Sequence, residues 1–139
     1  MATVYGNKSE GRAFTLKVPI ANVASTSADT SYKMTIPANW EGYIDIGNCF
    51  AVVTTAIVNT TTAATVVIKK GTTAIGSATC VDTSATGIIF SFTPAAGYTA
   101  GVALAAADYL TVGWTQGSGG TIAGVLDAYV ALELANLGT

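Results

Sequence analysis

Histidine is absent from this chain, which removes the usual general base from any Ser/His/Asp or Cys/His nucleophilic system. Two cysteines remain, Cys49 and Cys80. Neither has a second cysteine or a histidine at metal-ligand spacing, so the pattern makes no zinc site, and two thiols make no disulfide framework. Both lie in apolar, strand-like text, where a free thiol packs as a small hydrophobe. The expectation is two buried, reduced thiols, as the cytosol would keep them.

Carboxylates are the other groups capable of acid–base work. Glu10, Glu41, Asp45, Asp82, Asp108, Asp127 and Glu133 fall one to a segment, and no spacing pairs two of them as a glycosidase would. Asp82, followed by Thr83 and Ser84, and Asp108, just before a strand, have the text of turn formers whose carboxylates accept backbone amides. A calcium loop would need clustered Asp-x-Asp text, which is missing. Gln116–Gly120 (QGSGG) resembles a phosphate loop only in its glycines. It has no GK[ST] ending and precedes a strand, so it reads as a hairpin tip. The sequence thus assigns no catalytic, cofactor-binding or metal-binding residue, and the chain reads as a non-enzyme.

Charge excludes further classes. The 139 residues carry a formal net charge of −2. The six cations, Lys8, Arg12, Lys17, Lys33, Lys69 and Lys70, form no stripe that could neutralise several phosphates, so nucleic acid is not an expected partner. Lys69 and Lys70 read as solvated residues at a turn. The uncharged run Ile46–Ile68 is long enough to cross a bilayer. Its Asn48, Asn59 and many threonines fit two strands better, and no membrane span is expected. The N-terminal text lacks a signal-peptide pattern, so the sequons at Asn7 and Asn59 are given no role.

The elements that would position these residues are strands. Phe14, Leu16, Val18 and Ile20 alternate with polar or small neighbours, as do Tyr32, Met34 and Ile36. A third strand is expected near 42–47, and a longer one over 50–58. Residues 64–70 and 72–80 read as a hairpin, with Gly71 supplying a positive φ at the turn. Residues 87–93 (GIIFSFT) read as one short strand, and 95–108 as a loop. Leu110, Val112 and Trp114 share one face of a strand. Leu126, Ala128, Val130, Leu132 and Leu134 then alternate with Val125, Asp127, Tyr129, Ala131 and Glu133, giving one dry and one wetter face. About eight or nine strands at this spacing predict a single antiparallel all-β sandwich, jelly-roll-like, over residues 13–139. Residues 1–12, polar and Gly-containing, are expected as an N-terminal arm outside the core.

Half the residues are hydrophobic but only 10% are charged, against about 25% in a typical soluble domain. A neutral surface of Thr, Ala, Gly and Ser suits close contact with other protein. The expected contact residues are Tyr5, Lys8 and Arg12 on the arm, and Trp40 in the turn PANWEG. Trp40 is read equally as an exposed contact and as a cover for the end of the sandwich. Trp114 is expected in the core.

The text from Ala64 to Leu134 resembles small virion proteins of tailed phages, among them head decoration or cement proteins. The shared pattern is a hairpin (VVIKKGTTAIGSAT), an entry into a strand (AAADYLTVGW), a glycine tip and a long alternating strand ending in LEL. The family's glycine before the Asp is Ala107 here. The resemblance implies a β-sandwich on the outer capsid surface of a virion, assembled in the host cytoplasm. It also implies a homo-oligomer, commonly a trimer, that reinforces joints between copies of a major capsid protein. A second class remains open: a carbohydrate- or receptor-binding sandwich such as a fibre tip. That class needs two or three coplanar exposed aromatics, for which Trp40, Tyr43 and Tyr98 are the candidates.

Overall fold

The computed structural model describes residues 12–20, 31–58, 64–80, 83–99, 101–115 and 123–138. Its elements are β1 (Arg12–Ile20), β2 (Ser31–Thr35), β3 (Trp40–Asp45), a 3-10 turn (Ile46–Asn48), β4 (Phe50–Val58), β5 (Ala64–Lys70), β6 (Thr73–Cys80), β7 (Thr83–Ser84), β8 (Ile89–Ser91), β9 (Thr93–Pro94), β10 (Gly101–Leu104), β11 (Tyr109–Thr115) and β12 (Ala123–Asn136).

The strands form two packed antiparallel sheets, one of seven strands and one of five. In the larger sheet, β12 is the spine. One flank bonds to β1 along its whole length, and the other bonds to β4 and then to β3. β10 lies outside β3, while β7 and β8 lie outside β4. The smaller sheet runs β2-β11-β5-β6-β9. Hence β1-β12-(β3, β4)-(β10, β8) faces β2-β11-β5-β6, with successive segments crossing between layers. That is the winding of a jelly roll, in which one long strand pair is folded over and both sheets share a core.

Period-two patterning explains the packing. Leu126, Ala128, Val130 and Leu132 of β12 are buried, as are Ile44 of β3, Ala51 and Val53 of β4, Val66 and Ile68 of β5, and Leu110, Val112 and Trp114 of β11. The β5–β6 hairpin turns at Gly71, whose φ of 63° is the left-handed conformation the sequence led us to expect. A register shift after Ile68 leaves Ile75 as the extra residue of β6, so that Ile75 and Gly76 are both buried.

Three expectations need correction. Residues 87–93 are not one strand: β8 bonds to β4 in the large sheet and β9 to β6 in the small one, with buried Phe92 between them. The alternation survives the crossing, so the sequence shows no break. The stretch 95–108 is not all loop. It contains β10, which puts Val102 and Leu104 into the core from the edge beside β3; its alanines and glycines hide that two-residue signal. The backbone of Arg12 belongs to β1, opposite Leu134, and not to the arm. The long uncharged run from Ile46 to Ile68 contains the 3-10 turn, β4 and part of β5. Among the described residues no helix is long and apolar enough to cross a membrane.

Candidate contact face

The two sheets present very different outer surfaces. On the small sheet the outward positions are Lys33 and Thr35 of β2, Tyr109 and Thr111 of β11, Thr65, Val67 and Lys69 of β5, and Ser77 and Thr79 of β6. Hydroxyls and ammonium groups dominate. The Lys33 ammonium lies 4.1 Å from the centre of the Tyr109 ring, a cation–π contact that covers the aromatic.

The large sheet carries an apolar patch on its outward face, bordered by Lys17, Glu41, Asp45, Asp127 and Glu133. Tyr129 of β12 stands opposite Phe50 of β4, and their rings stack with centroids 4.9 Å apart at 16°. One step along, Val52 stands between Asp127 and Ile89 of β8. Ile89 is 61% exposed, the most of any large hydrophobic among the described residues. Tyr43 of β3, opposite Glu133, is 46% exposed. Its ring lies across the backbone of β10 at Gly101, where a Cβ would overlap the hydroxyl, so any larger residue there would displace the ring. Lys17 of β1 reaches over the same face to Asp127 at 3.3 Å. This pairing offsets the two charges, while Glu41 and Glu133 are exposed carboxylates of the same face and Asp45 a half-buried one.

Between β1 and β3 the small side chain of Ala131 leaves a trough of about 310 Å³, lined by Phe14, Thr15, Tyr43, Asp45, Asn48 and Glu133 among others. Asn48 Nδ2 donates to Asp45 Oδ2 at 2.6 Å, which fixes the carboxylate. Among the described residues, no three His, Cys, Asp or Glu side chains gather as metal ligands.

The cysteines lie below this surface. Both are buried free thiols. Cys49 Sγ donates to the Asp45 carbonyl at 3.2 Å and accepts from the Ala131 amide at 3.3 Å. Burial pushes its pKa up to about 11, against the lowering effect of the Ala131 amide, with Asp45 adding to the rise. Burial alone pushes Cys80 to about 12. Neither thiol ionises near neutral pH, so neither is a nucleophile there.

Of the residues expected to make contacts, Tyr5 and Lys8 lie outside the described residues, as does the side chain of Arg12. Trp40 opens β3 half-buried and packs against the core, which agrees with the covering alternative. Asp108 is the turn former expected of it: its Oδ2 accepts from the Ala105 amide at 2.8 Å. Asp82 lies outside the described residues. Lys70 departs from the expected solvated lysine. Its ammonium is 3.1 Å from Asp108 Oδ2 and donates to the Ala103 carbonyl at 3.0 Å, tying β5 to β10 across the sheets. Phe50, Val52 and Ile89 are not among the contact residues expected from the sequence. The usable signal was the wetter face of β12, which carries Val125, Tyr129 and Ala131 where a solvated strand would carry charge.

No protein-family model, curated protein or solved structure matches this chain.

Proposed function

We propose that this protein is a non-enzymatic structural subunit that lays the outer face of its large sheet on another protein surface, in the manner of a phage capsid decoration protein. The difference between the two outer faces carries this reading. One face is built of threonine and lysine and suits water. The other holds an apolar patch of Tyr129, Phe50, Val52 and Ile89, with Tyr43 across a trough lined by Asp45 and Glu133, and exposed apolar patches mark protein contact sites. The resemblance of the Ala64–Leu134 text to decoration proteins gives the partner class: a major capsid protein on the outside of a virion. Repetition over a symmetric shell would add avidity to a modest single contact.

The competing glycan- or receptor-binding reading is less well supported. Trp40 packs against the core, while Tyr43 and Tyr98 line separate hollows. The deciding experiment compares wild type with Ile89→Asp in co-sedimentation with undecorated capsids. Ile89 is mostly exposed, so the variant should keep its melting temperature and lose capsid binding. Unchanged binding would sink the proposal. Glycan-array binding that Tyr43→Ala abolishes would replace it with the second reading.

A further inference from the structure

The first half of β1 leaves the core incompletely covered. Its even-numbered side chains point between the sheets. Val18 and Ile20 are buried, but Leu16 is only half-buried and Phe14 is 40% exposed. Across the gap, β2 is the edge of the small sheet, and its inward-pointing Tyr32 is 41% exposed. Between the two edges runs an apolar groove of about 290 Å³ lined by Leu16, Tyr32, Met34, Leu110, Val112 and Val130 among others.

Among the described residues the same strand is an open edge. β1 is nine residues long, and among the described residues it bonds only to β12, in unbroken register from Arg12↔Leu134 to Ile20↔Leu126. Natural edges are usually blunted by charge, proline or a bulge. Here there is no bulge, Pro19 comes only at the far end, and the Lys17 ammonium is drawn over its own sheet to Asp127.

We propose that β1 pairs antiparallel with β1 of a second copy, about a twofold axis at Thr15, joining two large sheets into one. This does not depend on the capsid reading. That register is self-complementary, as a twofold contact must be. On the inner face it sets Phe14 against Leu16 of the second copy, so the two incompletely covered residues cover each other, twice. On the outer face it sets Thr15 against Thr15, a favourable cross-strand pair. It also brings Lys17 of the second copy beside Ala13. Glu133 stands on the far side of Ala13 on the same face, so the lysine, while keeping its pair with Asp127, approaches a surface of opposite charge. A one-residue shift, with the axis at Leu16, sets Ala13 against Pro19 and loses the Phe14–Leu16 match.

The test is a single cysteine. Cys49 and Cys80 are buried with raised pKa values, so an exposed introduced thiol reacts on a quiet background. Cα atoms directly opposite in an antiparallel pair stand about 4.5–5.5 Å apart, within disulfide reach. Thr15→Cys should therefore oxidise to a covalent dimer, while Thr35→Cys on the exposed face of β2 should not. In sedimentation, Thr15→Lys should weaken self-association on the order of tenfold by placing like charges opposite each other. An equimolar mixture with Thr15→Glu should restore it, which a misfolded variant could not do. A wild type that is monomeric at micromolar concentration would overturn the proposal. So would a trimer without a Thr15→Cys cross-link, or equal cross-linking at Thr15 and Thr35.

Discussion

The rings of Phe50 and Tyr129 stack 4.9 Å apart on the outer face of the large sheet, each half-buried by the other and by its neighbours. The pair sits directly across β4 and β12, so its attraction adds to that of the backbone ladder. Stacked aromatic pairs contribute about 0.5–1.5 kcal/mol beyond area burial. A double-mutant cycle with Phe50→Ala and Tyr129→Ala should return a coupling energy in that range by denaturant unfolding. Additive costs would show that the rings are neighbours without mutual stabilisation.

The thiols give a pH-dependent prediction. In the folded state Cys49 is raised from 9.0 to about 11 and Cys80 from 9.0 to about 12. A raised folded value means the folded state holds its protons longer than the unfolded state. The associated stability is intact below pH 9.0 and is lost as pH climbs toward 11 and 12. Alkylation at neutral pH should leave the native protein unlabelled, and after denaturation without reductant it should add two labels. Zero labels after denaturation would reveal a disulfide, contrary to the two free thiols of the structure.

How much of this was legible in the sequence depends on the length of each pattern. β12 could be read because its period-two alternation is long, and Leu132 in, Glu133 out follows directly from it. β8, β9 and β10 escape such a reading because each has only two to four residues. At that length, alternation cannot show which sheet a strand joins. The apolar patch of the large sheet is hidden for a related reason. Period two says which residues leave the core together, but Phe50, Val52, Ile89 and Tyr129 come from three strands, and only sheet order makes them neighbours. The role of Lys70 depends on Ala103, whose short strand carries no clear alternation in the sequence.

Ala107 has φ of 69°, in the left-handed region, between the β10 end and Asp108. A Cβ there costs about 1–2 kcal/mol, which glycine does not pay. Glycine's greater freedom when unfolded returns part of that difference. Ala107→Gly should therefore stabilise the fold by about 0.5–1 kcal/mol, read as a higher urea midpoint at unchanged slope. A lower midpoint would mean that the Ala107 methyl makes contacts that outweigh the strain.

Leu132 and Glu133 are adjacent yet opposed, one 3% exposed in the core and the other on the outer face. Leu132→Ala should cost about 2–5 kcal/mol, because the rigid sandwich cannot collapse into the cavity. Glu133→Ala should be near neutral in the isolated chain. Reversed costs would shift the register of β12 by one residue. The Glu133 variant should also slightly weaken the proposed self-association through β1, because it removes a negative charge from the surface that Lys17 of the second copy would approach.

The clasp formed by Asp108, Lys70 and Ala105 predicts behaviour in acid. The Ala105 amide and then the Lys70 ammonium favour the ionised carboxylate, and together they hold Asp108 below its ordinary 3.8. A depressed folded value contributes stability above the unfolded value and loses it as pH falls through the folded one. The loss therefore begins near pH 3.8 and continues below it. Asp108→Asn keeps an oxygen for the Ala105 amide but carries no charge, so its melting temperature should fall less steeply over that acid range. Above that range the wild type should be the more stable of the two, by a margin that shrinks as salt screens the exposed pair. Lys70→Met removes the same ion pair together with the bond to the Ala103 carbonyl. It should reproduce part of the flattened acid profile and additionally loosen β10, seen as faster amide exchange at Val102 and Leu104. If both variants keep the wild-type acid slope, the clasp does not set the acid limb and other carboxylates must.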